Sequence, residues 1–422
     1  MKYLNILSAI TALVIPGLLA CQRQTVNEGE VPLIDIEEAL KNPLEIKLSS
    51  LGSKITYVPL ELTDSALIGE SPIGFCVTSK YIFVSNNMMF SNGECMAFDR
   101  NTGKFIALVG HLGQDPQAYS SPEPVFDYKS EKITFPGNGD NLVVYTPEGV
   151  FDGFVSIPLS TRNINTYVFD ENDIIIYDGA EINSSSNNLL RLSSKGERLD
   201  SLNVFNANKN IHDNDNEVNS MMVRNSVGTI PGFVFITSFR NETLDFKYRD
   251  FRWLWNFKDD IRFYDNMRDT IYNYSENKFI PKYAVNIGNY PDKTHGEAKI
   301  MEEMPIIRTF FETSDLMLFY GNAGLMTGQF FAGIYNKPTG VTQASIITTG
   351  IFQFHGFEND IDGFMPILPV TMSEKEEFAA LLTVEKIHSW IEEHPDYQFA
   401  PEISWIKDLD EDSNPVVAII SK

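Results

Sequence analysis

The residues of this chain best equipped for chemistry are few and scattered. Asp360-Ile361-Asp362-Gly363 sets two carboxylates one residue apart, a pair that could hold a cation or accept from a sugar hydroxyl. The same pattern is ordinary turn chemistry, in which Asp side chains accept backbone N–H groups, and that reading is preferred. A dense aromatic run, Phe246, Tyr248, Phe251, Trp253, Trp255 and Phe257, continues into Phe263 and Tyr264. Phe251, Trp253, Trp255 and Phe257 alternate, so on a strand they share one face. Exposed, the two tryptophans would stack on sugar rings or on a protein partner. Large aromatic faces are normally core, so burial is the favoured expectation. Arg249 and Arg252, beside them, are candidate ligand-binding residues. The six histidines show no metal-ligand spacing, and His388 falls on an apolar face. No nucleophile elbow, phosphate loop or dinucleotide fingerprint is present. Asp213-Asn214-Asp215-Asn216-Glu217 lacks the Gly and the distant Glu of an EF-hand loop and reads as a solvated insertion. No catalytic set, metal site or cofactor is expected.

One further reactive residue lies near the N-terminus. Lys2, an apolar stretch over 4–19 broken by Ser8, Thr11 and Pro16-Gly17, and Ala20 before Cys21 follow the charged, apolar, small-residue order of a secretory signal. Leu18-Leu19-Ala20-Cys21 resembles a bacterial lipobox, with Leu19 bulkier than the usual residue there. That resemblance implies diacylglycerol on the Cys21 sulfur, cleavage before it and acylation of the new N-terminus. More than one acyl chain suffices for stable anchoring. Residues 1–20 are therefore read as a signal peptide, and 21–32 as the lipidated Cys with a polar tether. Gln22, rather than Asp, follows the Cys, which by resemblance to the usual sorting pattern points to the outer membrane, facing either periplasm or cell surface. The chain has 422 residues and a formal charge of −24, one unit more negative once Lys2 is removed. That charge argues against nucleic acid and against a basic membrane-binding surface.

The elements that must position these residues show themselves as a repeat. Phe98-Asp99-Arg100-Asn101-Thr102-Gly103-Lys104-Phe105 is a strand end, a turn and a new strand. Tyr145 to Phe151 repeats this around Gly149, Leu192 to Leu199 around Gly196, and Tyr335 to Val341 around Gly340. Gly supplies the positive φ that such a turn needs. Each glycine falls at one place in a four-strand pattern. The first three units use strands near 73–78, 81–86, 94–99 and 104–109; 125–128, 133–135, 142–145 and 151–157; and 167–169, 174–177, 189–192 and 198–205. A unit of ~40–50 residues is a propeller-blade length. A fourth unit is assembled from 233–239, 260–264, 270–274 and 278–287, with insertions at about 206–219 and 245–258. A fifth uses 306–311, 316–320, 330–335 and 341–347. Ser373 and Glu376 form a capping-box pair that starts a helix over about 374–393, stopped by Pro395. Strands at 55–60 and 415–420 remain, one from each end, and pairing them would close the ring in a composite sixth blade. Cys76 and Cys95 fall in the first and third strands of the first unit. Two inter-strand steps span about 9–10 Å, and a disulfide needs Cα atoms within about 7 Å, so two buried free thiols are expected.

Several stretches, taken together, are similar to those of the six-bladed β-propeller lipoproteins of Bacteroides-type bacteria. They are Tyr57-Val58-Pro59-Leu60-Glu61-Leu62 with Leu67-Ile68-Gly69, Phe98-Asp99 to Ile106, Asp269-Thr270-Ile271-Tyr272, Ile280-Pro281-Lys282-Tyr283, Asp360-Ile361-Asp362-Gly363, and Asn414-Pro415-Val416-Val417-Ala418-Ile419. The resemblance covers nearly the whole mature chain. It implies an all-β fold over residues 33–422, a six-bladed β-propeller of four-stranded blades with a composite closing blade and a C-terminal helix. It implies export as a lipoprotein and no defined activity. Where members often carry Gly-Pro-Gly-Glu-Tyr, this chain has Asp115-Pro116-Gln117-Ala118-Tyr119, so a ligand contact made there by relatives does not carry over.

The functional expectation is a membrane-anchored envelope lipoprotein whose propeller is a ligand- or protein-binding module. Its partners would be the membrane, through the lipid, and a carbohydrate or an envelope protein. Candidate ligand-binding residues are Asp360, Asp362, Trp253, Trp255, Arg249 and Arg252, with Asp360 expected near the mouth of the central channel. One alternative is an envelope hydrolase or lyase acting on a carbohydrate or lactone. Another is an accessory subunit of an outer-membrane uptake complex. An enzyme needs convergent acids, His or a metal in the channel; a subunit needs a large exposed apolar patch away from it.

Overall fold

Burial along each strand announces its place in a sheet. Tyr81–Ser85 and Asn141–Tyr145 are buried at every position but the first, so each must lie between two other strands. Phe151–Ser156, Lys278–Asn286 and Val341–Ile346 mix buried with exposed positions and lie outermost among the strands of their hairpins. The computed structural model describes residues 31–422 apart from 70–71, 87–92, 158–166, 172, 179–187, 205–216, 226–229, 231, 250 and 351–352. Cys21, the signal segment and most of the tether lie outside the described residues, as does most of the Asn/Asp-rich insertion.

The strands form a six-bladed β-propeller. Blade 1 is Gly74–Val77, Tyr81–Ser85, Cys95–Asp99 and Phe105–Leu108. Blade 2 is Val125–Asp127, Lys132–Pro136, Asn141–Tyr145 and Phe151–Ser156. Blade 3 is Tyr167–Asp170, Asp173–Asp178, Asn188–Ser193 and Arg198–Asn203. Blade 4 is Leu254–Phe257, Asp260–Phe263, Thr270–Ser275 and Lys278–Asn286, with Leu33–Asp35 added in parallel at its outer edge. Blade 5 is Pro305–Glu312, Leu316–Ala323, Phe330–Asn336 and Val341–Ile346. Blade 6 is composite: Thr371–Met372, Phe378–Leu382 and Val416–Ser421, with Lys54–Pro59 outermost. Residues of the first strand of every blade line one central cavity.

The outer hairpins explain the recurring glycines. Gly103, Gly149, Gly196 and Gly340 have φ of 68°, 80°, 80° and 69°. In the first and last copies an acceptor side chain caps the turn. Asp99 Oδ1 accepts from the N–H (2.8 Å) and hydroxyl (2.8 Å) of Thr102, and Asn336 Oδ1 accepts from those of Thr339 at 3.0 and 2.8 Å. The first three glycines also meet the blade before. A Cβ on Gly103 would lie 1.8 Å from Pro59 O, one on Gly149 2.2 Å from Leu108 O, and one on Gly196 1.7 Å from Ser156 O. Each turn is thus pressed against the outer strand of its predecessor, where no side chain fits.

Three expectations need correction. Phe233–Phe239 is not in blade 4. It lies in a separate four-stranded sheet, whose strands Val218–Asn225, Phe233–Phe239 and Thr243–Arg249 fall between blades 3 and 4 in the chain and whose fourth, His295–Glu297, falls between blades 4 and 5. The place in blade 4 belongs to Leu254–Phe257, which pairs with Asp260–Phe263 across a two-residue turn with Lys258 at φ 56°. The aromatic stretch at 245–258 is accordingly no loop excursion. It ends one sheet and begins the next. Third, the helix does not start at 374. Phe378–Leu382 is a strand held between Thr371–Met372 and Val416–Ser421, and the helix is Val384–Glu393. Ser373 and Glu376 shape the hairpin before that strand, with Glu376 at φ 61° and Ser373 N–H donating to Glu377 O. Phe378, Ala379 and Ala380 are buried on both sides of their sheet, which a surface helix could not provide.

The ring is closed by six consecutive antiparallel pairs, from Lys54 opposite Ser421 to Pro59 opposite Val416. Asn414, 2% exposed, locks the junction. Its Oδ1 accepts from Ile68 N–H at 2.9 Å, and its Nδ2 donates to Glu61 O at 2.9 Å and Ala66 O at 2.5 Å.

Candidate functional site in the central channel

First strands of a propeller point toward its axis, so what they and the residues flanking them carry decides what the channel can hold. Here they enclose a cavity of about 300 Å³. Most of its wall is apolar, from Phe75, Phe126, Phe169, Leu254, Trp255 and Phe310. Among its polar groups, four come from four different blades. Cys76 lies in the first strand of blade 1, Tyr128 follows that of blade 2, Arg252 precedes that of blade 4 and Glu374 follows that of blade 6.

These groups differ in charge state. Burial pushes the Cys76 thiol up to about 11, against the pull of Arg252 and of a hydrogen bond with Tyr128. Burial likewise holds the Tyr128 phenol well above its ordinary value. Both are neutral at neutral pH. Tyr128 keeps 39% of its surface open to the channel, although its hydroxyl end is ringed by protein. Arg252 is placed similarly: half-buried as a side chain, with a guanidinium enclosed deeply enough that desolvation weakens its hold on its proton. Among the described residues Arg252 makes no hydrogen bond and no ion pair. Cys76, Tyr128 and Glu123 act on it through their fields. Glu374 is engaged elsewhere, accepting from the backbone of Ser79 at 2.9 and 3.1 Å.

A second charged group borders the cavity but is internally satisfied. Glu312, fully buried at the end of the first strand of blade 5, accepts from Arg262 Nε at 3.0 Å, Lys337 Nζ at 2.8 Å, Trp255 Nε1 at 3.3 Å and Tyr283 OH at 3.3 Å. Lys337 also lies over the Phe257 ring, 4.3 Å from its centre. Two cations and two neutral donors on one carboxylate make a structural tie between blades 4 and 5.

The sequence-selected residues separate on this frame. Arg252 and Trp255 line the channel. Trp255 is 8% exposed and stacks on Phe310, with centroids 5.5 Å apart. Trp253 is 3% exposed and stacks on Phe251 at 4.9 Å, so neither indole offers a surface platform. Arg249 sits at the end of the inserted sheet, opposite Phe233. Asp360 and Asp362 are not among the residues that line the cavity. Asp360 accepts from the N–H (2.9 Å) and hydroxyl (2.6 Å) of Ser49; Asp362 accepts from Tyr57 OH at 2.9 Å and Asn359 Nδ2 at 2.6 Å. They are turn acids packed against the N-terminal segment, because that segment supplies the nearest donors. Cys76 and Cys95 are free, one on each side of Tyr81–Ser85, with Cys95 buried and Cys76 half-buried. Tyr128, Glu123 and Glu374 escaped the sequence reading. The signal that could have found them is position, since polar residues in or beside the first strand of a four-strand unit reach the axis.

The fold and its lined axis define a closed-ring propeller with one central cavity. The chain belongs to a family described as a domain of unknown function, DUF4934, which matches residues 31–421. A crystal structure of a Bacteroides fragilis protein described as a candidate exported protein shares the fold. It has a TM-score of 0.61 at 14% identity, covering 92% of this chain and 100% of that one. A member of the DUF4221 family from Bacteroides vulgatus aligns with a TM-score of 0.43 at 9% identity, over 88% of this chain and 97% of that one. No curated protein matches.

Proposed function

We propose that this chain is a lipoprotein, anchored through Cys21 to the outer membrane, whose propeller takes a small ligand into its central channel. The observation that supports this reading is the cavity itself: about 300 Å³, largely apolar, with a few polar side chains converging from different blades. That is the composition of a small-molecule site, at the lower end of the usual size range. A surface sugar platform has lost its support, since both tryptophans are buried. A hydrolase or lyase finds less support too. Of the acids that line the cavity, Glu312 is taken up by Arg262 and Lys337, Asp127 by Lys129 N–H and Ser130, Glu374 by the Ser79 backbone and Glu376 by Ser314; among the described residues no histidine lines it and no three His, Cys, Asp or Glu side chains group as metal ligands. The subunit reading has one observation in its favour. The edge strand Val218–Asn225 exposes Val218, Met221 and Val223, with Met221 71% open.

Two measurements test the proposal. Radiolabelled palmitate fed to a Bacteroides-type host should label the wild-type chain in the outer-membrane fraction and not the Cys21→Ala variant. The detergent-extracted protein, screened by thermal shift against mixed small molecules, should be stabilised by a ligand whose effect is lost when Leu254→Trp fills the channel. Labelling without any channel-dependent ligand would leave an anchored scaffold and remove the binding role.

A further inference from the structure

Arg252 poses a question that packing does not answer. Its side chain is half-buried and its guanidinium partly desolvated, yet it has no hydrogen-bonded acceptor, and none of its nitrogens is shut off from the cavity. Three arginines inside the fold have acceptors of their own. Arg262 is held by Glu312 and Asn273, with Nε 3.0 Å from Glu312 Oε2 and NH1 2.8 Å from Asn273 Oδ1. Arg308 donates to Asn322 at 2.7 Å and to Gly232 O at 2.9 Å. Arg268 is paired with Asp265. Arg252 alone among these four faces the channel cavity, beside two neutral groups, the Cys76 thiol and the Tyr128 hydroxyl.

We propose that Arg252 is the receptor for a single carboxylate carried by a small, mainly apolar acid bound in the channel. This rests on the channel being a ligand site, and it names the ligand class. The guanidinium offers a planar fork that suits a carboxylate, with the Cys76 thiol and the Tyr128 hydroxyl as further donors close by. The wall of Phe75, Phe126, Phe169, Leu254, Trp255 and Phe310 accommodates an apolar or aromatic body. One charge rather than two is indicated by the surroundings. Glu123, Asp127, Glu374 and Glu376 line the same cavity against three cations, Arg252, Lys129 and Lys258, and the chain as a whole carries −24, so a second negative charge on the ligand adds repulsion.

The test is calorimetric titration of the detergent-extracted full chain with 4-phenylbutyrate, its neutral amide and phenyl phosphate. The acid should saturate the protein, with the amide and the phosphate each bound about thirty-fold more weakly or worse. Arg252→Met should erase the preference for the acid, and Arg252→Lys should keep part of it, since the charge remains without the fork. Arg252→Met should melt no lower than wild type, because methionine fills the space without an unpaired charge. Equal binding of acid and amide to wild type would overturn the carboxylate receptor while leaving the channel a ligand site. Tighter binding of phenyl phosphate would overturn the ligand class. A large fall in melting temperature for both Arg252→Met and Arg252→Lys would make the residue structural and overturn the proposal. So would the failure of every acid in a panel of aliphatic and aromatic monocarboxylates to saturate the protein at millimolar concentration.

Discussion

Asn414 and the two thiols show how much single side chains govern here. Asn414 satisfies one N–H and two carbonyls from residues 61–68. Asn414→Ala leaves two buried groups, Ile68 N–H and Ala66 O, without partners, and each orphaned group costs roughly 1–3 kcal/mol. The expected loss is about 3 kcal/mol in denaturant unfolding, whereas replacing the exposed Asn101 should change stability little. The thiols set an alkaline limit. Burial holds Cys76 at about 11 and Cys95 at about 12, against an ordinary 9.0. Above pH 9 the unfolded chain releases thiol protons that the folded chain still holds, so stability falls as pH rises from 9 through about 11. Replacing both by alanine should flatten that decline, measured as melting temperature against pH beside wild type. Native protein should also react slowly with iodoacetamide at both sites and quickly in guanidinium. The fate of these cysteines was readable from spacing alone, because a strand between them fixes a distance. The role of Arg252 was not, because what matters about it is the lack of a partner, and a sequence records no partners.

Strands and turns were legible where the pattern is local. Alternation, together with a turn glycine, located blades 1, 2, 3 and 5 and both strands of the closure. It failed where the question was which sheet a strand joins. Phe233–Phe239 and Leu254–Phe257 are both plausible first strands for the fourth blade, and only the tight turn at Lys258-Asp259 decides between them. It failed again at Phe378–Leu382, whose apolar run fits a helix face as well as a strand buried on both sides. The turns carry their own prediction. Gly149→Ala forces a positive φ on alanine, worth about 1–2 kcal/mol, and drives a methyl group against Leu108 O, 2.2 Å away. Gly153→Ala, at φ 136° with open space around it, is the control that carries backbone strain without the collision. Gly149→Ala should be the more destabilising of the two in denaturant unfolding, and its effect should extend to blade 1, which it touches, as faster hydrogen exchange in Phe105–Leu108.

At the scale of the whole molecule, the composite blade ties order of synthesis to order of folding. Lys54–Pro59 precedes the four-stranded meanders of the other five blades in the chain and Val416–Ser421 follows them, yet the second lies between the first and Phe378–Leu382. The early strand therefore waits, its edge unpaired, until some 360 residues have followed it. Five blades can form as local meanders in that interval, but none of them can make the ring. A chain ending before Val416 has every other described strand and no closure: the sixth blade lacks its third strand, and Lys54–Pro59 and Phe378–Leu382 are each left with an unpaired edge, the form that invites pairing with other chains. Such a product should aggregate and be cut early within residues 54–69, and a synthetic peptide of residues 415–422 added in trans should restore protease resistance. The closing strand thus acts as a completion signal. The ring closes only when Val416–Ser421 has been made, and a copy cut short before it is exposed to proteolysis at both of the strands it would have joined.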